Sequence, residues 1–520
     1  MIMDRIDRRT FLKTTSLAGG AIIAAPVLFN GCAMTGTNLT FAGTERGGYF
    51  EKEFGITDSL CKKVLAKALS KGGDFADLYF EHTISNSLGL EDKKVDRAYT
   101  SVNLGVGIRT VKGEQVGFGF TQELTEKSMM AAAAMAATIA DGSATPVAGK
   151  FAAVRTGDYY PLTGTKPAPL APRLSLVEST AGKCFARSNY VIKTIARFND
   201  ARKRIMVVTS DGVKAEDLLP DSALSSMVTV ERNGRKEQFW FALGGRYDFS
   251  YFTDDIAREV AEGVVDGAVT LLDAVVPPAG EIPVVFAPGD TGVLFHEAVG
   301  HGFEADFNRK KISIYSTMMG QKVAEPIVTV VDDGTWPGAR GSINFDDEGT
   351  PSQKTVLVEN GILKSYLHDR ISAKHYGLSS TGNGRRESYE NYPVPRMRNT
   401  YILPGASKPQ EIIESVKKGI YIQDVSNGQV NIGQGDFAFY VSRGRLIENG
   451  KLGATIKDIN IMGSGPKLLR DITMVADDLK LGWNGLSVCG KDGQLVPIDC
   501  GMPTVLVKSL TVGGTGKQGA

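Results

Sequence analysis

Two of the five histidines in this 520-residue chain fall within six residues, in His296-Glu297-Ala298-Val299-Gly300-His301. On an ideal α-helix, positions five apart are rotated by about 140°, so the two rings would face different sides. Histidines four apart sit about 40° from each other and can grip one metal ion from one helix. The wider spacing is a constraint on the fold. For the rings to meet, the helix must open into a π turn or end between them. Gly300, just before His301, permits either distortion.

The segment has a plausible frame. Ile282–Phe286 reads as a strand, Pro288-Gly289-Asp290 as a turn, and Asp290 as the N-cap of the helix that follows. A catalytic zinc usually takes three protein ligands and keeps one position open. His296 and His301 supply two; Glu304, Asp306, His368, His375 and Cys489 are the candidates for the third. Glu297, beside the first histidine, suits a general base that takes a proton from water activated by the metal. The plain alternative is a core helix that happens to carry two histidines.

The N-terminus reads as an address. Arg8-Arg9-Thr10-Phe11-Leu12-Lys13 is followed by an apolar run from Leu17 to Phe29, too short to span a bilayer comfortably. The paired arginines mark a twin-arginine export signal over residues 1–32, which predicts a periplasmic location. Leu28-Phe29-Asn30-Gly31-Cys32 resembles a lipoprotein cleavage site, so Cys32 is either a lipid-anchored first residue or part of an ordinary cleaved leader.

Net charge is only +1, which gives no footprint for nucleic acid. Sixty glycines favour turns and hairpins over long helical bundles. Five cysteines, sparse and odd in number, make no disulfide scaffold; Cys61 and Cys184 fall on apolar helix faces. The pattern predicts an α+β protein: a linker over 33–54, an N-terminal α/β domain over 55–145 with helices on a sheet, a middle domain over 146–278, and a strand-rich domain over 279–515 carrying one metal-binding helix. Helices are expected over 57–70, 129–140 and 254–274, and strands near 205–210 and 227–241. Tight turns are expected at Lys112-Gly113, Asn360-Gly361 and Asn449-Gly450.

Beyond the histidines, His296 to Asp306 as a block resembles the TldD/PmbA peptidase family. So do Phe345–Pro351, Val358–Leu363, Pro395–Gly405, Gly428–Asn431, Gly435–Phe437, Leu446–Lys451 and Cys489–Gln494. The blocks occur in order over about 280–515, and the hairpin near 107–119 fits the family's first domain. The resemblance implies a zinc peptidase of the metal-bearing, TldD-like type, with His296, His301 and Cys489 as ligands. The rival for Cys489 is a disulfide to Cys500. It also implies short or unfolded peptides as substrates, and a dimer with itself or with a PmbA-like subunit. The exported N-terminus departs from the family pattern.

Other residues invite bland and functional readings. Arg340, Arg385, Arg386 and Arg396 suit a peptide carboxylate, but surface ion pairs are the commoner use. Tyr401 suits an oxyanion or the core. Asp332-Asp333 and Asp346-Asp347-Glu348 read as turns, and His368 and His375 as structural or exposed.

Overall fold

The computed structural model describes residues 47–154, 157–161, 168–277, 279–482 and 484–514. The twin-arginine motif, the apolar run and Cys32 lie outside the described residues.

Local signals place the N-terminal helices. Helix α1, Tyr49–Phe54, lies inside the stretch expected to be linker, between Gly48 and Gly55, both left-handed. Its core residue Phe50 is fully buried and packs on Phe80, ring centroids 5.6 Å apart. One buried aromatic thus orders a six-residue helix that composition alone reads as loop. Helix α2, Asp58–Ala68, starts where Thr57 accepts the Leu60 N–H, and buries Cys61, Val64, Leu65 and Ala68. Helix α3 runs Glu126–Ala136, capped by Thr125. Helices α4, Leu170–Arg187, and α5, Asp254–Leu271, pack on each other, with Cys184 buried on α4.

One sheet, antiparallel in all but its shortest strand, carries all of these helices. Strands β1 (Phe75–Glu91), β2 (Lys94–Lys112), β5 (Val191–Thr209) and β6 (Val213–Arg232) are 17 to 20 residues long. With β3 (Gln115–Thr121), β4 (Ala152–Ala153) and β7 (Arg235–Gly245), they follow the order β3-β2-β1-β5-β6-β4, and β7 also pairs β6. Residues on both sides of position 145 therefore share one sheet, because β1 pairs β5 from Asp77↔Thr209 to Glu91↔Ile195. The expected strand over 227–241 is two strands. Asn233 and Gly234, at φ 53° and 80°, turn β6 into β7. Asn360-Gly361 and Asn449-Gly450 make the expected tight turns, with φ positive at all four residues.

The C-terminal half holds a closed ring. Strand β8, Gly280–Phe286, sits between Lys418–Val430 and Val505–Gly514. The order continues through Ile459–Ser464 to Asp436–Glu448, which pairs back to Lys418–Val430. Five strands thus close a barrel, and closure removes the open edges. Leu294, Phe295, Ala298 and Val299 join Val284, Ile420, Phe439 and Ile461 in one apolar cluster. The segment carrying the histidines is thereby anchored on the barrel.

A second sheet, built around Val330–Asp333 and Asn399–Ile402, stands beside it. Buried charges tie the loops of this half to the N-terminal sheet: Arg109 on β2 reaches Asp77 of β1 and, at 2.7 Å, Glu348. Arg386 reaches Asp77 at 3.0 Å.

Candidate metal centre

In place of one regular metal-binding helix, the chain after Asp290 winds in three gauges. Val293–Phe295 is one α turn, His296–Gly300 is π, and His301–Phe303 is 3-10. The His301 N–H donates to the His296 carbonyl, an i→i+5 bond that brings residues five apart to one face. The rings of His296 and His301 lie 5.1 Å apart, centroid to centroid, and nearly perpendicular. Gly300 has ordinary helical φ of −59°. Its lack of a side chain matters for space: a Cβ there would stand 2.1 Å from Met397 Sδ. Asp290 begins the first 3-10 turn and does not cap it; Gly289 holds the N-cap.

The third donor comes from a distant hairpin. Val488–Lys491 pairs with Gln494–Pro497 through a turn at Asp492-Gly493, φ 51° and 73°. Cys489 is buried there, with its sulfur 3.4 Å from His301 Nε2. Arg396 clamps the hairpin by donating to the Cys489 carbonyl and, at 3.3 Å, to that of Gln494. One donor atom each from His296, His301 and Cys489 falls within a 4.8 Å cluster.

Around the donors the polar groups are ordered. Glu304 Oε2 lies 2.9 Å from His301 Nδ1 and 3.2 Å from Lys491 Nζ. Lys491 also donates to Asp306 at 2.7 Å. Glu304 accepts the Nδ1 proton, so Nε2 is the ring nitrogen that faces Cys489 and would ligate a metal once deprotonated. Burial opposes the charge on Glu304, but Lys491 and His301 outweigh it and hold its pKa at about 2. Burial likewise opposes a charged His301, yet Glu304 and Cys489 raise its pKa well above the usual value. Burial would raise the Cys489 pKa; the two histidines reverse that and push it well down. Among the described residues, the ring nitrogens of fully buried His296 have no hydrogen-bond partner other than the Cys489 sulfur beside them. A buried imidazole left so, facing a sulfur that favours its thiolate, is a donor set that fits a cation.

Glu297 is the most open member. Its side chain is 24% exposed, and Oε2 lies 3.7 Å from His301 Nε2, on the donor side of that ring.

The remaining candidates sit elsewhere. Glu304 and Asp306 stand behind the donors, as described. His368 is buried against Tyr376 and burial pushes its pKa down to about 4; His375 bonds Glu114 at 2.6 Å. Neither joins the cluster. Cys489 and Cys500 are both free. Arg385, Arg386 and Arg396 are not surface ion pairs; all three are buried. Arg385 serves the carbonyls of Met397 and Pro497. Arg340 holds Asp221 at 3.1 Å. Tyr401 donates to Asp333 at 2.8 Å and packs edge-on against Trp336, so it belongs to the core. Asp347 and Glu348 form the expected turn, closed by the Gly349 N–H on the Asp346 carbonyl, whereas Asp332 and Asp333 end a buried strand; Asp332 and Asp346 are buried acceptors of backbone N–H groups. Sequence reasoning missed Lys491; the signal was there, since i and i+2 share a face and Cys489 and Lys491 lie on one strand.

The fold and these donors define an α+β protein with a buried nitrogen–nitrogen–sulfur centre of the kind metalloenzymes carry. Residues 279–514 match the C-terminal domain of the PmbA/TldA metallopeptidases, 76–140 match domain 1, and 165–272 match the central domain. The TldD metalloprotease homologue of Haemophilus influenzae is 39% identical over 459 residues, which cover 85% of this chain and 93% of that protein. A metalloprotease of Methanocaldococcus jannaschii is 32% identical, covering 82% and 95%. The solved structure of TldE from Thermococcus kodakarensis superposes with a TM-score of 0.71 at 18% identity, covering 88% of this chain and all of that one, a likeness of fold alone. The chain belongs to the PmbA/TldD metallopeptidase family.

Proposed function

We propose that this chain is an exported zinc metallopeptidase that hydrolyses short or unfolded peptides. The observation that carries the reading is the buried triad of His296, His301 and Cys489 with Glu297 open beside it. Two imidazoles and a thiolate suit zinc by softness and number, and leave room for a fourth position. Zinc bound there would polarise the scissile carbonyl and acidify water. Glu297 takes the proton of the attacking water on its carboxylate and returns it to the departing amine nitrogen. Glu304 and Lys491 hold His301 in register, and Arg396 holds the Cys489 hairpin.

A closed four-ligand site would favour a metal-stabilised peptide-binding protein without turnover. Glu304 is the residue that would close it, and its Oε2 is engaged by His301 and Lys491. That supports the open, catalytic reading.

Export rests on Arg8-Arg9 and the apolar run after it, and the choice between a lipid anchor and a free periplasmic form rests on Cys32. A dimer, with itself or with a PmbA-like subunit, is part of the same proposal, and mass in solution tests it.

Zinc content and peptide hydrolysis, measured together on the protein and on Cys489→Ala, test the core of it. One zinc per chain with activity, both lost in the variant, is the expected result. A variant that keeps both would move the third ligand elsewhere.

A further inference from the structure

Next to the metal centre lies a cleft of about 380 Å³ that the chemistry above does not use. One wall is Phe239, Trp240 and Phe241 of β7; the other includes Asp424, with Asp290 and Cys500 also lining it. Two residues connect it to the site. Val293, also on its lining, precedes Glu297 by one turn of the same wound segment. Cys500, also on its lining, precedes Gly501, whose backbone lies against Gly292 at the start of that segment.

The cleft is acidic in a particular way. Asp424 is neutralised, since its carboxylate accepts from Arg443 Nε at 2.6 Å. Asp290 has no cationic partner among the described residues; it has only a long contact, 3.4 Å, from the Asn484 amide. It is solvent-accessible yet closely surrounded by protein, as a group on the floor of a cleft must be. Gly482 makes the space: a Cβ there would stand 1.6 Å from Asp290 Oδ1. Burial first, then Asp424, raises the Asp290 pKa to about 6, so it remains mostly ionised at neutral pH. Trp240, on the lining, is 45% exposed, and the chain's own Arg443 guanidinium lies over the Phe239 ring at 4.7 Å. A carboxylate and an exposed indole lining one cleft can hold an ammonium or guanidinium group, by ion pairing at its tip and cation–π contact along its stem.

We propose that this cleft is a specificity pocket, and that it takes the lysine or arginine side chain of a peptide lying across the metal centre. The proposal rests on the peptidase reading and deepens it by naming the substrate class. A free peptide amino terminus carries the same ammonium chemistry, so the test separates the two.

The test uses matched peptides that differ by one lysine-to-leucine exchange, each with a free or an acetylated amino terminus. Hydrolysis is followed on the full chain, and equilibrium binding on Glu297→Gln. The expected result is a preference of roughly ten- to a hundredfold for the lysine peptide, in kcat/KM and in affinity, whether or not the terminus is acetylated. In Asp290→Asn the lysine-to-leucine ratio should collapse toward one; in Asp290→Lys it should invert in favour of a glutamate peptide. A preference that disappears on acetylation would assign the cleft to the amino terminus and overturn the side-chain proposal. Equal handling of lysine and leucine by the parent would overturn it outright. Binding that favours lysine with no cleavage would leave the pocket standing and remove the peptidase reading instead.

Discussion

The Glu304 carboxylate stands 2.9 Å from Nδ1 of His301, and this contact decides which ring nitrogen faces the Cys489 sulfur. An ionised carboxylate can only accept there, so Nδ1 keeps its proton and Nε2 is the nitrogen that a metal would take in place of a proton.

Glu304→Gln should weaken this arrangement without removing a ligand. The amide can donate to Nδ1 and so stabilise the wrong tautomer. Zinc affinity should fall about ten- to a hundredfold, the usual cost of losing such a supporting contact. A competition titration with a chromogenic chelator measures it; unchanged affinity would mean that Glu304 does not orient His301.

Glu297→Ala should separate chemistry from metal binding. Turnover should drop by about 10²–10⁴ while one zinc per chain remains. Metal analysis beside a single-turnover assay reads both, and retained activity would remove Glu297 from the proton path.

Gly300→Ala should destabilise through crowding. The new Cβ would meet the sulfur of Met397, which is itself fully buried. Overpacking of this kind costs about 1–3 kcal/mol. Adding Met397→Ala should return part of the loss in chemical denaturation. A single variant as stable as the parent would show that the π turn tolerates a side chain.

Arg109→Ala should be among the costliest single changes. It leaves Asp77 and Glu348 buried without their shared cation, at a cost of about 3–5 kcal/mol. Denaturant midpoints measure this, and a loss below 1 kcal/mol would mean that Arg386 and water compensate.

Asp499 makes stability fall with rising pH. Burial, opposed by the Arg340 N–H and its guanidinium, raises its pKa from 3.8 to about 8. A raised pKa means its stabilisation is complete below the unfolded value and is lost as pH climbs toward 8. The slope is at most about 1.4 kcal/mol per pH unit. Asp499→Asn keeps the acceptor for the Arg340 N–H, 2.6 Å away, and should flatten the profile between pH 4 and 8. An unaltered profile in thermal melts would refute the assignment.

What the sequence reveals about this site depends on distance along the chain. The histidine pair and the π distortion follow from six consecutive residues and the pitch of a helix, and the structure has both. Cys489 lies 188 residues from His301, and no local spacing singles it out from Glu304, Asp306, His368 or His375; family resemblance does. Arg385, Arg386 and Arg396 read as surface residues because charged side chains usually are. Their partners, Asp77 and the carbonyls of Cys489 and Pro497, are far away in sequence and meet them only after folding. The sequence marks a strand near 205–210 without saying which strand lies beside it, and that requires the register between β1 and β5.

The long gap between the second and third donors also sets an order in time. After His301 emerges, a ribosome must add 188 residues before the sulfur exists, roughly 10 to 40 s at ordinary rates of synthesis. An interrupted chain can therefore make the histidine pair but never the complete triad. A full set of donors marks a chain made at least as far as Cys489, and an ion that demands all three would tell such chains from those interrupted before it.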